Sequence, residues 1–267
     1  MNLETLYAVY FFIFGLVFGS FLNVCIARIP EGESIVAPRS KCPGCQSAIA
    51  FYDNIPLLSF LLLRGKCRHC HAKISWLYPS VEFLTGLLAY FCFIKLRLPL
   101  PSLLWFLFFI SPLIVISVID LKHYLIPDIL SLPSIALGFL LHAYSNGSLH
   151  WKEALLDSFL GALLGAGILF LIAFLYEYLR KQEGLGGGDV KLAAMLGAFL
   201  GWKSIFFIFF YASLTASLLG LSLILINKFR FQSKLPFGPF LSFGAILYFF
   251  KGSQFLFHFI RFLHPMR

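Results

Sequence analysis

Gly186-Gly187-Gly188-Asp189-Val190-Lys191 opens an apolar segment that continues as Leu192-Ala193-Ala194-Met195-Leu196, and the reading of that junction decides what kind of chain this is. Glycines permit close backbone approach and conformations that a side chain forbids. An ionisable carboxyl at membrane depth is costly, so it marks a functional site by default. The surrounding composition is that of a membrane protein: of 267 residues, 60% are hydrophobic and 12% charged, against roughly 25% charged in soluble domains. The expected fold class is all-α and polytopic, because apolar runs of about 20 residues cross a bilayer as helices. Eight spans are expected, at 6–27, 78–96, 101–121, 125–144, 154–178, 189–201, 204–226 and 236–258. The sixth is short and needs shelter from its neighbours. The first lacks a basic n-region and an Ala-x-Ala exit, so it reads as a retained helix rather than a signal peptide.

Orientation follows from Lys and Arg, which are enriched in cytoplasmic loops. The segment between the first two helices carries Arg28, Arg39, Lys41, Arg64, Lys66, Arg68 and Lys73, which assigns it to the cytoplasm and the N-terminus to the outside. Alternation then adds Lys122, Arg180, Lys181, Lys191, Lys228, Arg230 and Lys234 to the inner face. Lys95, Arg97, Lys152, Lys203, Lys251, Arg261 and Arg267 fall outside. Asp120 and Asp189 both land at cytoplasmic helix ends, a result to which they contribute nothing. The net charge of +9 does not imply nucleic acid, because the basic residues are scattered through juxtamembrane loops. Anionic lipid headgroups are the expected partners. No internal repeat or low-complexity tract stands out.

Four of the six cysteines form Cys42-x-x-Cys45 and Cys67-x-x-Cys70 in the basic loop. The cytoplasm keeps thiols reduced, and two such pairs supply four thiolates for a tetrahedral zinc ion. A four-thiolate site is closed to catalytic water, so the zinc is expected to be structural and to provide the loop's folding energy. His69 and His71 read as solvated loop residues. Cys25 and Cys92 lie in helices as small apolar side chains.

Asp120 ends an apolar run, where an acid is disfavoured by the helix dipole. Asp128 follows Pro127 at a helix start, the ordinary place for an acid. The glycine loop is no phosphate cradle, because Asp189 stands where the P-loop requires Lys. Alone, Asp189 reads equally well as a helix N-cap. Together, two carboxyls in a partly dry site share a proton, one acting as base toward water while the other donates to the substrate, as in aspartyl proteases. Pro236-Phe237-Gly238-Pro239 interrupts a membrane entry and offers backbone groups that could pair with an extended substrate, although a helix-start turn accounts for it equally. Asn23 suits interhelical hydrogen bonding.

The chain resembles the type IV prepilin peptidases, membrane enzymes of the Gly-x-Gly-Asp aspartyl class. The resemblance is carried by Gly19-Ser20-Phe21-Leu22-Asn23-Val24, both cysteine pairs, Asp53-Asn54-Ile55-Pro56, Leu63-Arg64-Gly65-Lys66-Cys67-Arg68, Tyr78-Pro79-Ser80-Val81-Glu82, Asp120 with Leu125-Ile126-Pro127-Asp128, Gly187-Gly188-Asp189-Val190-Lys191, and Pro236-Phe237-Gly238-Pro239-Phe240. It implies that Asp120 and Asp189 are the catalytic acids. It also implies that the substrate is a prepilin or pseudopilin cut after a glycine at the cytoplasmic face of the bacterial inner membrane. Bifunctional members then methylate the new amine with S-adenosylmethionine, and they share the cysteine loop. No Rossmann-type methyl-donor turn is present, and Glu82 is a weak candidate for that chemistry. Residues 1–27 are expected to form the first helix, 28–76 the methyltransferase-associated zinc module, and 77–267 the peptidase domain. Gly186, Gly187, Gly188, Lys191, Pro236, Gly238 and Pro239 are candidates for the substrate loops. A proton or cation transporter would place its acids nearer the midplane and show inverted repeats, and a thiol oxidoreductase would need its cysteines in an oxidising compartment.

Overall fold

The computed structural model describes residues 2–147, 149–181, 186–226 and 235–263, with side chains described as far as residue 252. Gly184 of the glycine loop and Lys228, Arg230, Lys234 and Arg267 of the charge pattern lie outside the described residues, as does the side chain of Arg261. Among the described residues there are helices and two isolated β-bridges, and no strand.

Ten α-helices follow in chain order: α1 Leu3–Arg28, α2 Leu58–Leu62, α3 Leu77–Leu96, α4 Pro99–Trp105, α5 Ser111–His123, α6 Asp128–Ser145, α7 Trp151–Arg180, α8 Gly187–Leu200, α9 Trp202–Leu225 and α10 Gly238–Leu263. A π-helical turn over Phe106–Ile110 joins α4 to α5 in one run. Local chemistry sets several boundaries. Pro99 starts α4 at its first turn, and Pro127 caps α6, where a missing N–H costs nothing. Among the described residues, six helices are long and apolar enough to cross a membrane: α1, α3, the 99–123 run, α6, α7 and α9. The expected eight segments all appear as helices, but α8 has 14 residues, about 21 Å at 1.5 Å per residue, and does not meet that length.

The chain divides into two compact units, residues 1–118 and 119–267. In the first, α1 packs along α3. A side chain on Gly15 would meet Ala89 Cβ at 2.7 Å, and one on Gly19 would meet Glu82 Cα at 2.8 Å. Small residues thus bring the helices together, as in other membrane bundles, and Phe11 stacks on Phe93 with ring centroids 5.1 Å apart. Asn23 Nδ2 donates to Tyr78 O at 3.1 Å across the same pair, as its sequence context suggests.

In the second unit α8 is the core. Leu192, Ala193, Met195, Leu196, Ala198 and Phe199 are all fully buried, which answers how so short an apolar segment is sheltered. Side chains on Gly161 or Gly197 would collide with the carbonyl of the other, so α7 and α8 touch backbone to backbone. At the far end of α8 from Asp189, His142 bonds Phe199 O at 2.9 Å and Asp157 Oδ2 at 3.0 Å, and Ser158 donates to Ala198 O.

Candidate active site and metal centre

Asp120 lies in the last turn of α5, where its own helix disfavours a carboxylate. Its side chain is buried, and Oδ2 accepts the backbone N–H of Gly238 at 2.9 Å. That N–H is one of the unsatisfied donors at the start of α10, so the carboxylate sits at the positive end of another helix. The arrangement requires glycine: a Cβ on Gly238 would stand 2.7 Å from Asp120 Oδ2. The Gly238 donor is therefore already occupied, and the Pro236–Pro239 turn does not offer it to a substrate strand. Gly238 and Pro239 are instead the first residues of α10.

Asp189 is the third helical residue of α8. The N-cap is Gly186, whose carbonyl accepts the Asp189 N–H at 3.1 Å. The acid is thus not the cap that its sequence position allows. Its Oδ1 is buried and has no hydrogen-bond partner among the described residues. Ile126 is the common spacer. A Cβ on Gly188 would meet Ile126 Cβ at 2.9 Å, and one on Gly238 would meet its Cδ1 at 3.3 Å. Lys191 Nζ bonds both oxygens of Asp128, at 2.7 and 2.8 Å, tying the start of α6 to that of α8. Asp128 therefore has a cation partner as well as its helix-start position. Ile126 and the Gly238–Asp120 bond are parts of the site that sequence reading missed. Their only signal was placement inside the Leu-Ile-Pro-Asp and Pro-Phe-Gly-Pro blocks.

The cysteines form a second centre in the first unit. The Sγ atoms of Cys42, Cys45, Cys67 and Cys70 all lie within 4.8 Å of one another, with Cys42 and Cys70 3.7 Å apart. A tetrahedral ion with metal–sulfur bonds of about 2.3 Å requires sulfur separations of about 3.8 Å, so the donor set and its size fit a metal ion. The two knuckles repeat each other 25 residues apart, a local repeat that sequence inspection passed over. Lys41 bridges Ala48 and Lys66 bridges Lys73. Gln46 and His71 both take positive φ, 59° and 57°, and their N–H groups donate to Cys42 O and Cys67 O at 2.9 and 3.0 Å. The Ser47 hydroxyl, 2.7 Å from Cys45 Sγ, brings that thiol down to about 6. The amides of Cys70 and His69 lower Cys67. Cys70 is held at about 11 despite the Ala72 amide, because desolvation and the three neighbouring thiols oppose its ionisation. Arg68 forks onto Asp53, with Nε–Oδ2 at 2.9 Å and Nη2–Oδ1 at 2.5 Å, and keeps that carboxyl below its ordinary range. His69 and His71 are exposed, and Cys25 and Cys92 are buried in their helices.

Glu82 is buried at 8% exposure. Its Oε2 accepts Leu57 N–H at 2.9 Å, and the Ser20 hydroxyl lies alongside. Leu57 carries φ of 59°, a strained conformation for a branched residue.

Fold and sites define a polytopic membrane protein with a carboxyl pair in one unit and a four-thiol centre in the other. The family model "Bacterial Peptidase A24 N-terminal domain" matches residues 13–96, and "Type IV leader peptidase family" matches 107–221. The chain belongs to the type IV leader peptidase family. Relatives named prepilin leader peptidase/N-methyltransferase include the following three. The Myxococcus xanthus protein is 42% identical over 82% of this chain and 64% of its own length. That of Aeromonas hydrophila is 37% identical over 90% and 89%, and that of Bacillus subtilis 36% over 94% and 96%. No solved structure matches the chain.

Proposed function

We propose that the chain is an aspartic endopeptidase that removes the basic leader of type IV prepilins or pseudopilins after a glycine, at the cytoplasmic face of a bacterial inner membrane. We further propose that it methylates the new N-terminal amine with S-adenosylmethionine. The observation that carries the peptidase reading is the convergence of Asp120, Asp189 and the Gly238 N–H, from segments far apart in sequence, around Ile126. The Gly238 hydrogen bond favours Asp120 as the base that takes a proton from water. Asp189 Oδ1 is left to donate its proton to the carbonyl oxygen as the water oxygen bonds the carbonyl carbon. The C–N bond then breaks with proton transfer to the departing amine. In the second reaction the amine lone pair forms an N–C bond to the donor's methyl carbon as the C–S bond breaks, leaving S-adenosylhomocysteine, and the extra proton passes to solvent.

The remaining assignments follow this reading. Residues 1–27 act as an anchor helix, 28–76 as a cytoplasmic module with structural zinc on the four cysteines, and 77–267 as the peptidase domain. Eight helices cross the membrane with the N-terminus outside, and lipid surrounds them. The Gly186–Gly188 segment, Lys191 and the Pro236–Pro239 turn border the substrate. The test is cleavage of a prepilin in a membrane preparation. Asp120→Asn and Asp189→Asn should each lower the rate by about 10³-fold while the protein stays inserted. Cleavage at the native rate in either variant removes that residue from the mechanism.

A further inference from the structure

The first unit contains a cavity of about 800 Å³, within the range of sites for small organic ligands, and the peptidase reaction makes no use of it. Glu82 and Asn23, on α3 and α1, both line it. Each is more than nine-tenths buried. Asn23 Oδ1 has no hydrogen-bond partner among the described residues. Glu82 receives the Leu57 amide and the Ser20 hydroxyl, two donors for a carboxylate able to accept about four. No ion pair joins it to a cation among the described residues. An enclosed carboxylate without a cation is expensive. The nearby backbone strain at Leu57 is of the kind found at ligand sites.

Around these two acceptors the cavity wall changes character. Arg39 and Lys73 line it and supply positive charge, the Phe60 ring, packed on Trp76 with centroids 4.7 Å apart, also lines it, and Cys42 and Cys67 belong to the four-thiol centre. The wall therefore suits a ligand that combines a cation bearing N–H donors, a carboxylate and a flat ring. Those are the features of a sulfonium amino-acid nucleoside.

We infer that this cavity is the binding site of the methyl donor S-adenosylmethionine, with Glu82 and Asn23 receiving its cationic end and the four-cysteine module forming one wall. The inference rests on the methylation reading above and gives it a location. Glu82 and Asn23 are placed as binding residues, and the metal as a support for the wall.

The test uses the full-length protein in lipid nanodiscs, with S-adenosylmethionine titrated calorimetrically and amide exchange followed with and without it. Wild type should bind saturably, with exchange slowed at residues 20–28, 53–60 and 75–82. Glu82→Gln and Asn23→Ala should each bind at least about 10-fold more weakly, with leader cleavage and bound metal kept as controls for folding. Should either variant fail those controls, the wild-type exchange footprint decides. Undiminished binding in both variants, protection confined to other segments, or no binding by wild type overturns the site. Labelled donor with prepilin separates the two ideas. A wild type that binds here but marks no amine keeps the site and loses the methylation reading. Labelling of the amine together with binding that ignores both substitutions does the reverse.

Discussion

The four-thiol centre and the carboxyl pair are built on opposite principles. The thiols come from two knuckles 25 residues apart, each closed by its own turn and bridge, and their sulfurs are gathered within 4.8 Å. The carboxyl site draws on α5, α8 and α10, spans more than a hundred residues of sequence, and keeps one buried oxygen without a partner among the described residues. On the proposed reading, a centre that holds an ion is completed by the protein itself, whereas one that handles water and a peptide bond keeps an oxygen uncommitted for the substrate.

Substitutions at the two centres test this difference directly. The largest effect is expected at the thiols. If the module folds around zinc as proposed, Cys67→Ser removes one of four ligands, and metal binding in zinc-finger peptides contributes on the order of 10 kcal/mol or more. Bound zinc, measured by elemental analysis, should fall from one per chain to none, and amides in the two knuckles should exchange faster. Stoichiometric metal in that variant would defeat the four-ligand assignment. Next is Gly238→Ala, whose Cβ must displace Asp120 Oδ2. Because a shift of about 1 Å at a reacting group can cost 10²-fold, cleavage should fall by about 10- to 100-fold. Gly167→Ala, on α7 and outside the substrate loops, is the control, since nothing lies within 4 Å of its Cβ position, and it should cleave within about 2-fold of wild type. Equal losses in both would show that the close approach is not the cause. Smallest is Asp128→Asn, which removes the ion pair with Lys191. Its side chains are about half exposed, and such pairs contribute about 0.2–1 kcal/mol. The loss in cleavage should stay under about 5-fold and shrink further as salt rises, and a larger loss would give Asp128 a part in the chemistry.

The same contrast explains what could be read from sequence. The knuckles were legible because spacing alone fixes them, and the long helices because apolar length does. Asp120 and Asp189 could be singled out because a carboxyl at a membrane helix end is conspicuous. What joins them was not legible. The Gly238 N–H, the Ile126 spacer and the Lys191–Asp128 pair depend on which helix ends meet, and no local periodicity encodes that. Asp189 illustrates the limit. Its neighbourhood fits an N-cap, and only the fold shows that Gly186 takes that position and leaves the acid as the third helical residue, inside the first turn. The short 3₁₀ turn at Phe51–Asn54 and α2 also escaped notice, because each is anchored by remote partners, Arg68 for Asp53 and Glu82 for Leu57.

One consequence follows from the length of α8. A hydrocarbon layer is about 30 Å thick, and a rod of about 21 Å cannot reach both of its borders. If α8 crosses as proposed, the shortfall would leave a hydrated dent in the bilayer at an end of this helix, lined by protein rather than by acyl chains. A dent at the Asp189 end would admit water to the carboxyls and let a stretched peptide enter from the side, with its hydrogen-bonding groups never exposed to lipid.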